Sequence, residues 1–449
     1  MLDLLWSAFG FVIAISVLVC FHEFGHYWMA RRLGVKVLRF SLGWGKPLRS
    51  HLSRDGVEWS IAPWPIGGYV KLLDEREGPV PPSMRHMAFN NQSVGRRMAI
   101  LAAGPAFNFL LAILLYWGTL VVGVPGMKPV LAPPPAQSAA AQAGLQGGEE
   151  VTALDGRPVP TWSVLSTDLI DESLKARSLL LQVRSADGHE RVVTIDLSQV
   201  RVDPEYLFED LGLRPFRPSI PPVVAEVAPG SAAEAAGFQA GDRLLSRDGQ
   251  PISDWQAWAD WVGANPGAVA QVEVERSGAR RKLEVVIGAV EGQPTRGLFG
   301  ATAHVPPELW QHLRAEWQLD PVSALPAAAR QTWQMSALTL RMLWKMVVGE
   351  LSLKNISGPI QIAQVAGISV QSGLVSFLTF MAVISISLGV LNLLPVPMLD
   401  GGHLLLYAIE GLRGRPLSER VQAASQYIGF AFIGLLMLLA FYNDIMRFV

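Results

Sequence analysis

The chain has 449 residues, of which 50% are hydrophobic and only 17% are charged, and its mean hydropathy is +0.29. This balance is too apolar for an ordinary soluble enzyme and favours a membrane protein with soluble parts. The net charge of −1 gives no sign of a nucleic-acid partner, and the single cysteine, Cys20, excludes an internal disulfide and a cysteine-rich metal site.

Four uncharged stretches are long enough to cross a bilayer, which takes about 20 residues. They are Leu4 to Phe21, Met98 to Met127, a span within Asn355 to Leu399, and Val421 to Asn443. The first stretch lacks the basic start and the small-residue cleavage site of a secretory signal. We therefore expect it to be retained as a transmembrane helix.

Lysine and arginine placement predicts the orientation of the spans. These residues crowd the loop between the first two spans, and Arg413, Arg415 and Arg420 recur between the last two. The positive-inside rule predicts that both loops are cytoplasmic. Both termini, and the long segment between spans two and three, are then expected on the far side of the membrane, which in a Gram-negative bacterium is the periplasm.

Two segments of this long connection repeat each other without a gap. "SAAAQAGLQGGEEVTALDGRPVPTW" starts at Ser138 and "SAAEAAGFQAGDRLLSRDGQPISDW" starts at Ser231. Each predicts a short helix, a strand and an Asp-Gly turn into the next strand. The pattern resembles permuted PDZ domains, here over residues 127–215 and 216–305. Such domains bind a peptide end by strand addition, and a plug that only restricts access is the alternative.

Residues 306–356 follow the second repeat and mix apolar residues with tryptophans and scattered basic residues. This composition predicts amphipathic helices at the membrane surface. Helices packed on the second repeat are the alternative.

The pentapeptide His22-Glu23-Phe24-Gly25-His26 ends the first apolar run. His22 and His26 are four residues apart, so they share one helix face and can together bind one Zn²⁺. Glu23 lies beside them as a general base for water. Hydrogen-bonded interface histidines are the alternative, but ionisable residues inside a span are costly and indicate function.

A third ligand is expected near the end of the third apolar interval, in "LNLLPVPMLDGGH". Asp400 is the carboxylate there, and His403 is a rival ligand. Pro395 and Pro397 break the helix and free backbone groups for a substrate. Asn392 is a candidate donor to an oxyanion or to an unwound substrate, and interhelical packing is its alternative role.

The first cytoplasmic loop contains "LRFSLGWGKPL" and "VEWSIAPWPIGGYVKL", which predict short strands with glycine breaks. An exposed strand edge beside the membrane can capture an unwound substrate segment. The candidate glycines for this contact are Gly43, Gly45, Gly67 and Gly68.

The N-terminal H-E-F-G-H and the C-terminal N-L-L-P-V-P-M-L-D-G-G together resemble the site-2 protease family of intramembrane zinc metalloproteases. "FSLGWGKPL", "AGPAFN" (Ala103 to Asn108) and "NISGP" (Asn355 to Pro359) also match, and the resemblance covers essentially the whole chain. It implies that the chain binds one Zn²⁺ through two histidines and one aspartate and that a glutamate acts as the general base. The implied residues are the ligands His22, His26 and Asp400, the base Glu23, and Asn392 at the substrate. Gly104, Pro105 and Asn108 are interpreted as helix-packing residues.

The resemblance implies a polytopic α-helical membrane protein with membrane-associated β elements and two inserted periplasmic PDZ domains. Residues 1–126 would carry the first two spans and the catalytic helix, and residues 357–449 the last two spans. The site would lie near the cytoplasmic face, because Arg31 and Arg32 follow the motif.

The implied substrates are single-span membrane proteins already shortened on the periplasmic side. An anti-sigma factor, whose cleavage starts an envelope stress response, is one class, and remnant signal peptides are another. Two alternatives are a PDZ scaffold without protease activity and a zinc transporter. The complete set of candidate ligands and base argues against the first, and the lack of ionisable residues in spans two and four argues against the second.

Overall fold

The computed structural model describes residues 2–173, 178–198, 207–290, 293–349, 356–415 and 417–446. The described helices are α1 (Leu2–Arg32), α2 (Val94–Val122), α3 (Ala139–Gln142), α4 (Trp162–Ser173), α5 (Leu207–Leu211), α6 (Ala232–Ala235), α7 (Trp255–Ala264), α8 (Glu308–Gln311), α9 (Pro321–Val347), α10 (Pro359–Gln371), α11 (Leu374–Leu393), α12 (Asp400–Arg413) and α13 (Glu419–Met446). Short 3-10 helices cover Pro82–Met87 and Phe89–Asn91.

The described strands are β1 (Val37–Trp44), β2 (Arg49–Leu52), β3 (Glu58–Ile61), β4 (Trp64–Leu72), β5 (Val124–Met127), β6 (Glu150–Leu154), β7 (Arg157–Pro158), β8 (Ser178–Arg184), β9 (Glu190–Asp196), β10 (Val224–Val227), β11 (Arg243–Arg247), β12 (Gln250–Pro251), β13 (Val269–Arg276), β14 (Ala279–Val286), β15 (Gly288–Val290), β16 (Gln293–Leu298), β17 (Ala301–Ala303) and β18 (Arg314–Trp317). The chain divides into a membrane unit, Met1–Val124 with Gln318–Val449, and a repeat unit, Pro125–Trp317.

Among the described residues, four helices are long and apolar enough to cross a membrane. They are Leu5–Arg32, Val94–Val122, Leu374–Leu393 and Arg420–Met446, one in each predicted stretch. Helix α2 is central in the membrane unit, because it packs against α1, α9, α11 and α12. The predicted helical membrane protein with an inserted α+β part is confirmed at this coarse level.

The third apolar interval holds two helices, although the sequence predicts a single span there. Helix α10 ends at Gln371, and α11 begins one turn later, after Gly373 with a φ of 105°. The start of α10 is capped from α13, where Asp444 accepts hydrogen bonds from the backbone N–H groups of Gly358 and Ile360, each at 2.9 Å. Asn355, the first residue of the predicted "NISGP" motif, lies outside the described residues.

The first loop of the membrane unit folds into a four-stranded sheet of order β2-β3-β1-β4. Strands β1 and β3 run parallel, and β1 and β4 run antiparallel. Phe40 of β1 is buried against Tyr27 of α1 and Trp59 of β3, which fixes the sheet against the first helix. Strand β4 is an edge strand, since its second edge has no strand partner in the described part of the chain.

The two copies in the repeat unit have the same strand order. The first forms the sheet β7-β6-β8-β9, and the second forms β12-β11-β13-β14. Ser138 and Ser231 cap the equivalent helices α3 and α6 by accepting from backbone N–H groups three residues on. Each copy buries its own apolar core, so each has the organisation of a separate small domain.

The segment after the second repeat differs from the prediction of helices throughout, because Arg314–Trp317 forms strand β18, which pairs with β5. Helix α9 is amphipathic in the expected way. It buries Ala324 and Ala328 and packs against α2 and α11, while Trp333 and Trp344 are exposed. Residues 350–355 of the predicted surface segment lie outside the described residues.

Candidate metal centre

Three metal-binding side chains converge inside the membrane unit, although 374 residues separate His26 from Asp400 (400 − 26). His22 Nε2 lies 3.2 Å from His26 Nε2 and 3.2 Å from Asp400 Oδ2. The third distance, from His26 Nε2 to Asp400 Oδ2, is 3.5 Å. The sequence prediction that these three residues come together therefore agrees with the geometry.

These distances fit one tetrahedral ion. Zinc ligands at about 2.0–2.1 Å from the metal stand about 3.3–3.4 Å apart when the angles are tetrahedral. Asp400 Oδ2 is buried and has no hydrogen-bond partner among the described residues, although a buried carboxylate oxygen is normally paired. Two imidazole nitrogens and one carboxylate oxygen also form a donor set that Zn²⁺ favours. The residues present fit a zinc site.

Helix α1 supplies both histidines from one uninterrupted segment, Leu2–Arg32. Their four-residue spacing stacks them on one face, with the ring centroids 4.8 Å apart. Because the helix is continuous through this segment, it orients both rings independently of the third ligand.

Helix α2 contacts the outer side of both rings. The carbonyl oxygen of Ile100 lies 2.9 Å from His26 Nδ1, and the amide nitrogen of Asn108 lies 3.1 Å from His22 Nδ1. A side chain at Gly104 would overlap the imidazoles, so glycine permits this close approach. The sequence predicts only helix packing for Gly104 and Asn108, but the structure places both against the histidines.

Asp400 is the first residue of α12 and follows a tight connector from α11. Met398, two residues earlier, has a φ of 84°, a left-handed conformation that is rare outside glycine. A Cβ at Gly401 or Gly402 would overlap the connector carbonyls of Leu394 or Val396. The glycine pair therefore lets the connector fold over the start of α12 and present the carboxylate to α1.

Glu23 lies where helix α1 meets the edge strand β4. Glu23 and Val70 of β4 line the same cavity. A side chain at Gly68 would meet Val19 and the Glu23 side chain, so this glycine lies directly beside the candidate base. The edge strand and the base are neighbours.

A cavity of about 760 Å³ opens onto the metal ligands. Its lining includes the candidate substrate residue Asn392 and the rival ligand His403, which is not part of the converging group among the described residues. The described lining residues do not include Pro395 and Pro397, which lie in the connector. The same holds for the four candidate glycines Gly43, Gly45, Gly67 and Gly68, although Tyr69 and Val70 of β4 do line it.

The remaining cavity wall carries charges that the sequence analysis did not single out. Arg76 donates to Asp74 through its side chain at 2.9 Å and 2.5 Å, and both residues line the cavity. Burial raises the pKa of Asp74, but hydrogen bonds from the Arg76 side chain and backbone outweigh burial and leave the pKa below its ordinary value. This carboxylate is therefore ionised at neutral pH, and it is paired.

A second ion pair joins α2 to the helix that carries Asp400. Arg97 Nη2 lies 2.6 Å from Glu410 Oε1, and its guanidinium carbon lies 4.4 Å from the centre of the Tyr407 ring. Arg97 and Glu410 are both buried. No local sequence signal marks this pair, since its members are 313 residues apart.

Comparison with known proteins identifies the family of the chain. The model of "Peptidase family M50" matches residues 10–436. The chain belongs to peptidase family M50. The prediction of a site-2-type zinc metalloprotease is confirmed by this match.

Two relatives match over the full length of both chains. The "Regulator of sigma E protease" of Salmonella typhi is 44% identical over 451 residues, and the "Regulator of sigma-E protease RseP" of Escherichia coli K12 is 43% identical over 450. Among solved structures, a PDZ domain of Listeria monocytogenes matches 20% of this chain and 92% of its own length, with 19% identity and a TM-score of 0.17.

Proposed function

We propose that this M50 peptidase cleaves transmembrane segments of single-span proteins, with His22, His26 and Asp400 holding one Zn²⁺ and Glu23 acting as general base. The observation that carries the proposal is the convergence of three donor atoms at 3.2 Å, 3.2 Å and 3.5 Å. The orphaned carboxylate oxygen of Asp400 supports it, because such an oxygen is costly unless a cation pairs with it.

Zinc, when bound, supplies Lewis acidity that polarises the scissile carbonyl and makes water a better nucleophile. Glu23 accepts the proton of the attacking water and then delivers it to the leaving amide nitrogen. Glu23 lines the same cavity as the three candidate ligands, which places its carboxylate within the site for this transfer.

A helical substrate hides its carbonyls in hydrogen bonds, so it must unwind before it is cut. Strand β4 offers an unpaired edge among the described strands, directly beside Glu23. An unwound substrate segment would add to this edge by backbone hydrogen bonds. Asn392, next to the last residue of α11, lines the same cavity and would donate to the substrate backbone near the scissile bond.

The names of the relatives support a substrate class. Both are named regulators of sigma-E, which supports an anti-sigma factor with a single membrane span as the physiological substrate. Remnant signal peptides are the second class. We place the protein in the bacterial inner membrane, with the metal centre near the cytoplasmic face and the repeats in the periplasm, as the lysine and arginine distribution supports. The repeats are two PDZ domains that select substrates already shortened on that side.

The test is co-expression with a tagged single-span substrate whose periplasmic domain has been removed. We expect cleavage by the wild type, and a fall of about 10²- to 10⁴-fold with Glu23→Gln, because the amide cannot accept a proton. Glu190→Gln is the control for the same chemical change, since Glu190 is an exposed residue of the repeat unit that does not line the cavity, and this variant should cut normally.

Equal loss of substrate with wild type, Glu23→Gln and His22→Ala would rule out the proposed chemistry. Substrate that stays intact with wild type but co-purifies with it would favour a non-proteolytic scaffold.

A further inference from the structure

The two candidate zinc histidines are held from behind by the same helix, α2, but with different chemical groups. His26 faces a backbone carbonyl, which any residue at position 100 would supply. His22 faces a side chain, that of Asn108. We propose that Asn108 is a positioning residue whose side-chain carbonyl accepts a hydrogen bond from His22 Nδ1 and so keeps Nε2 directed at the metal. The inference rests on the proposed zinc site.

The identity of the metal-binding nitrogens follows from the distances. The two Nε2 atoms are the ones that approach each other and Asp400 Oδ2, so Nε2 is the coordinating atom on both rings. A neutral imidazole that binds a cation through Nε2 carries its proton on Nδ1. Each Nδ1 is therefore a donor in the metal-binding form, and each needs an acceptor.

His26 has this acceptor in the Ile100 carbonyl at 2.9 Å. A carbonyl oxygen has two lone pairs, so it accepts this bond in addition to its helical one. The bond fixes the tautomer and the direction of the His26 ring.

His22 obtains its acceptor only if Asn108 turns its oxygen towards the ring. In the arrangement described, Asn108 Nδ2 lies 3.1 Å from His22 Nδ1, which suits the opposite tautomer, with the proton on Nε2. With a proton on Nδ1, two N–H groups would face each other. A half-turn of the amide exchanges oxygen and nitrogen, and Asn108 Oδ1 has no hydrogen-bond partner among the described residues that would hold it in place.

The position of Asn108 is otherwise fixed. The residue is fully buried, with 0% of its surface exposed, and its backbone carbonyl accepts from Ser385 Oγ on α11 at 2.7 Å. The side chain therefore cannot leave the ring, and the amide orientation is the one variable that remains. Helix packing alone would not require a buried amide at this position, nor its contact with His22 Nδ1.

The experiment compares three variants of the full chain in detergent, with Zn²⁺ as the probe in competition with a chelator. Asn108→Leu removes the acceptor at similar size and should weaken zinc binding about 10- to 100-fold, as outer-shell changes typically do. Asn108→Asp keeps an acceptor for Nδ1–H and should bind within a few-fold of wild type. Thr119→Val, which removes another buried polar group of α2, is the matched control and should leave affinity unchanged.

Thermal unfolding in excess EDTA checks that each variant folds without metal, and Asn108→Ala replaces Asn108→Leu if the latter does not fold. The proposal is overturned if Asn108→Leu binds zinc like wild type, or if Asn108→Asp loses as much affinity as Asn108→Leu. His22→Ala distinguishes failure of the proposed zinc site from failure of the positioning role of Asn108. If wild type binds one zinc and His22→Ala does not, the zinc site is supported regardless of the result for Asn108. If wild type does not bind one equivalent of zinc, the proposed zinc site is wrong.

Discussion

Two aspartates with buried carboxylate oxygens, Asp400 in the membrane unit and Asp242 in the repeat unit, are held in opposite ways. Asp242 is fully buried, and both its oxygens are paired, with Arg276 at 2.6 Å and 2.7 Å and with the Gln239 N–H at 2.9 Å. Asp400 Oδ2 is buried beside two imidazole nitrogens without a hydrogen bond from the described residues. The first carboxylate is satisfied by protein groups, and the second is complete only with a cation.

The contrast separates structural from functional burial of charge. A buried ion pair with all its hydrogen bonds fixes a fold, and removal of one partner leaves an uncompensated charge. A buried carboxylate oxygen without a hydrogen-bond donor does not stabilise the fold in this way, and a bound cation is the reason we infer for its presence. Matched substitutions at the two positions should therefore change different properties of the protein.

Asp400→Asn should have the largest effect, and it should act on the metal. We expect zinc affinity to fall by more than about 100-fold, the upper range for residues that contact a ligand but not the metal, because Asp400 would bind the metal directly. Proteolysis should fall to background. The melting temperature in excess EDTA should fall only modestly, since without metal Oδ2 contacts two imidazole nitrogens, at 3.2 Å and 3.5 Å, among the described residues. Zinc content and melting temperature of purified protein measure both quantities, and a full equivalent of zinc would point to His403 as the third ligand.

Asp242→Asn should show the reverse behaviour. Loss of the charge leaves Arg276, whose side chain is 15% exposed, without its partner, and should cost about 3 kcal/mol in the second repeat. Hydrogen exchange of the β11 and β13 amides measures this free energy of opening. Zinc content should equal that of wild type. Unchanged exchange would show that the Asp242–Arg276 pair does not stabilise the repeat.

Glu149→Gln tests the equivalent carboxylate of the first repeat and should have the smallest effect. Glu149 accepts from Arg191 at 2.6 Å and from two backbone N–H groups, but the Arg191 side chain is 46% exposed. Water therefore compensates the arginine, and we expect about 1 kcal/mol. Hydrogen exchange of β6 and β8 provides the measurement, and a loss as large as that at Asp242 would contradict the role given to solvent exposure.

Much of the fold was predictable because its signals are local. Apolar runs indicate the four spans, and a gapless repeat indicates two similar small domains. The HEFGH spacing predicts that His22 and His26 share a helix face. Asp400 was identified by its position at the end of an apolar interval and by the family resemblance, since nothing local pairs it with residues at the other end of the chain.

The contacts that sequence reasoning missed are long-range and made by residues with ordinary local roles. Asn108 in a span is compatible with helix packing, and only the fold shows that it faces His22. Arg97 and Glu410 each resemble a helix-end charge, and their pairing depends on how α2 crosses α12. The break between α10 and α11 was missed because no charged residue interrupts the interval from Asn355 to Leu399.

The glycine pair after Asp400 has a consequence for how this chain can vary. Since a methyl group at either position would overlap connector carbonyls, a saturation library should tolerate almost no replacement at Gly401 or Gly402, even though neither glycine is among the described lining residues of the cavity. The motif L-D-G-G thus determines the backbone conformation of the connector as well as supplying a candidate ligand. A relative that kept the aspartate but lost both glycines would be expected to need a different route from its third span to its metal.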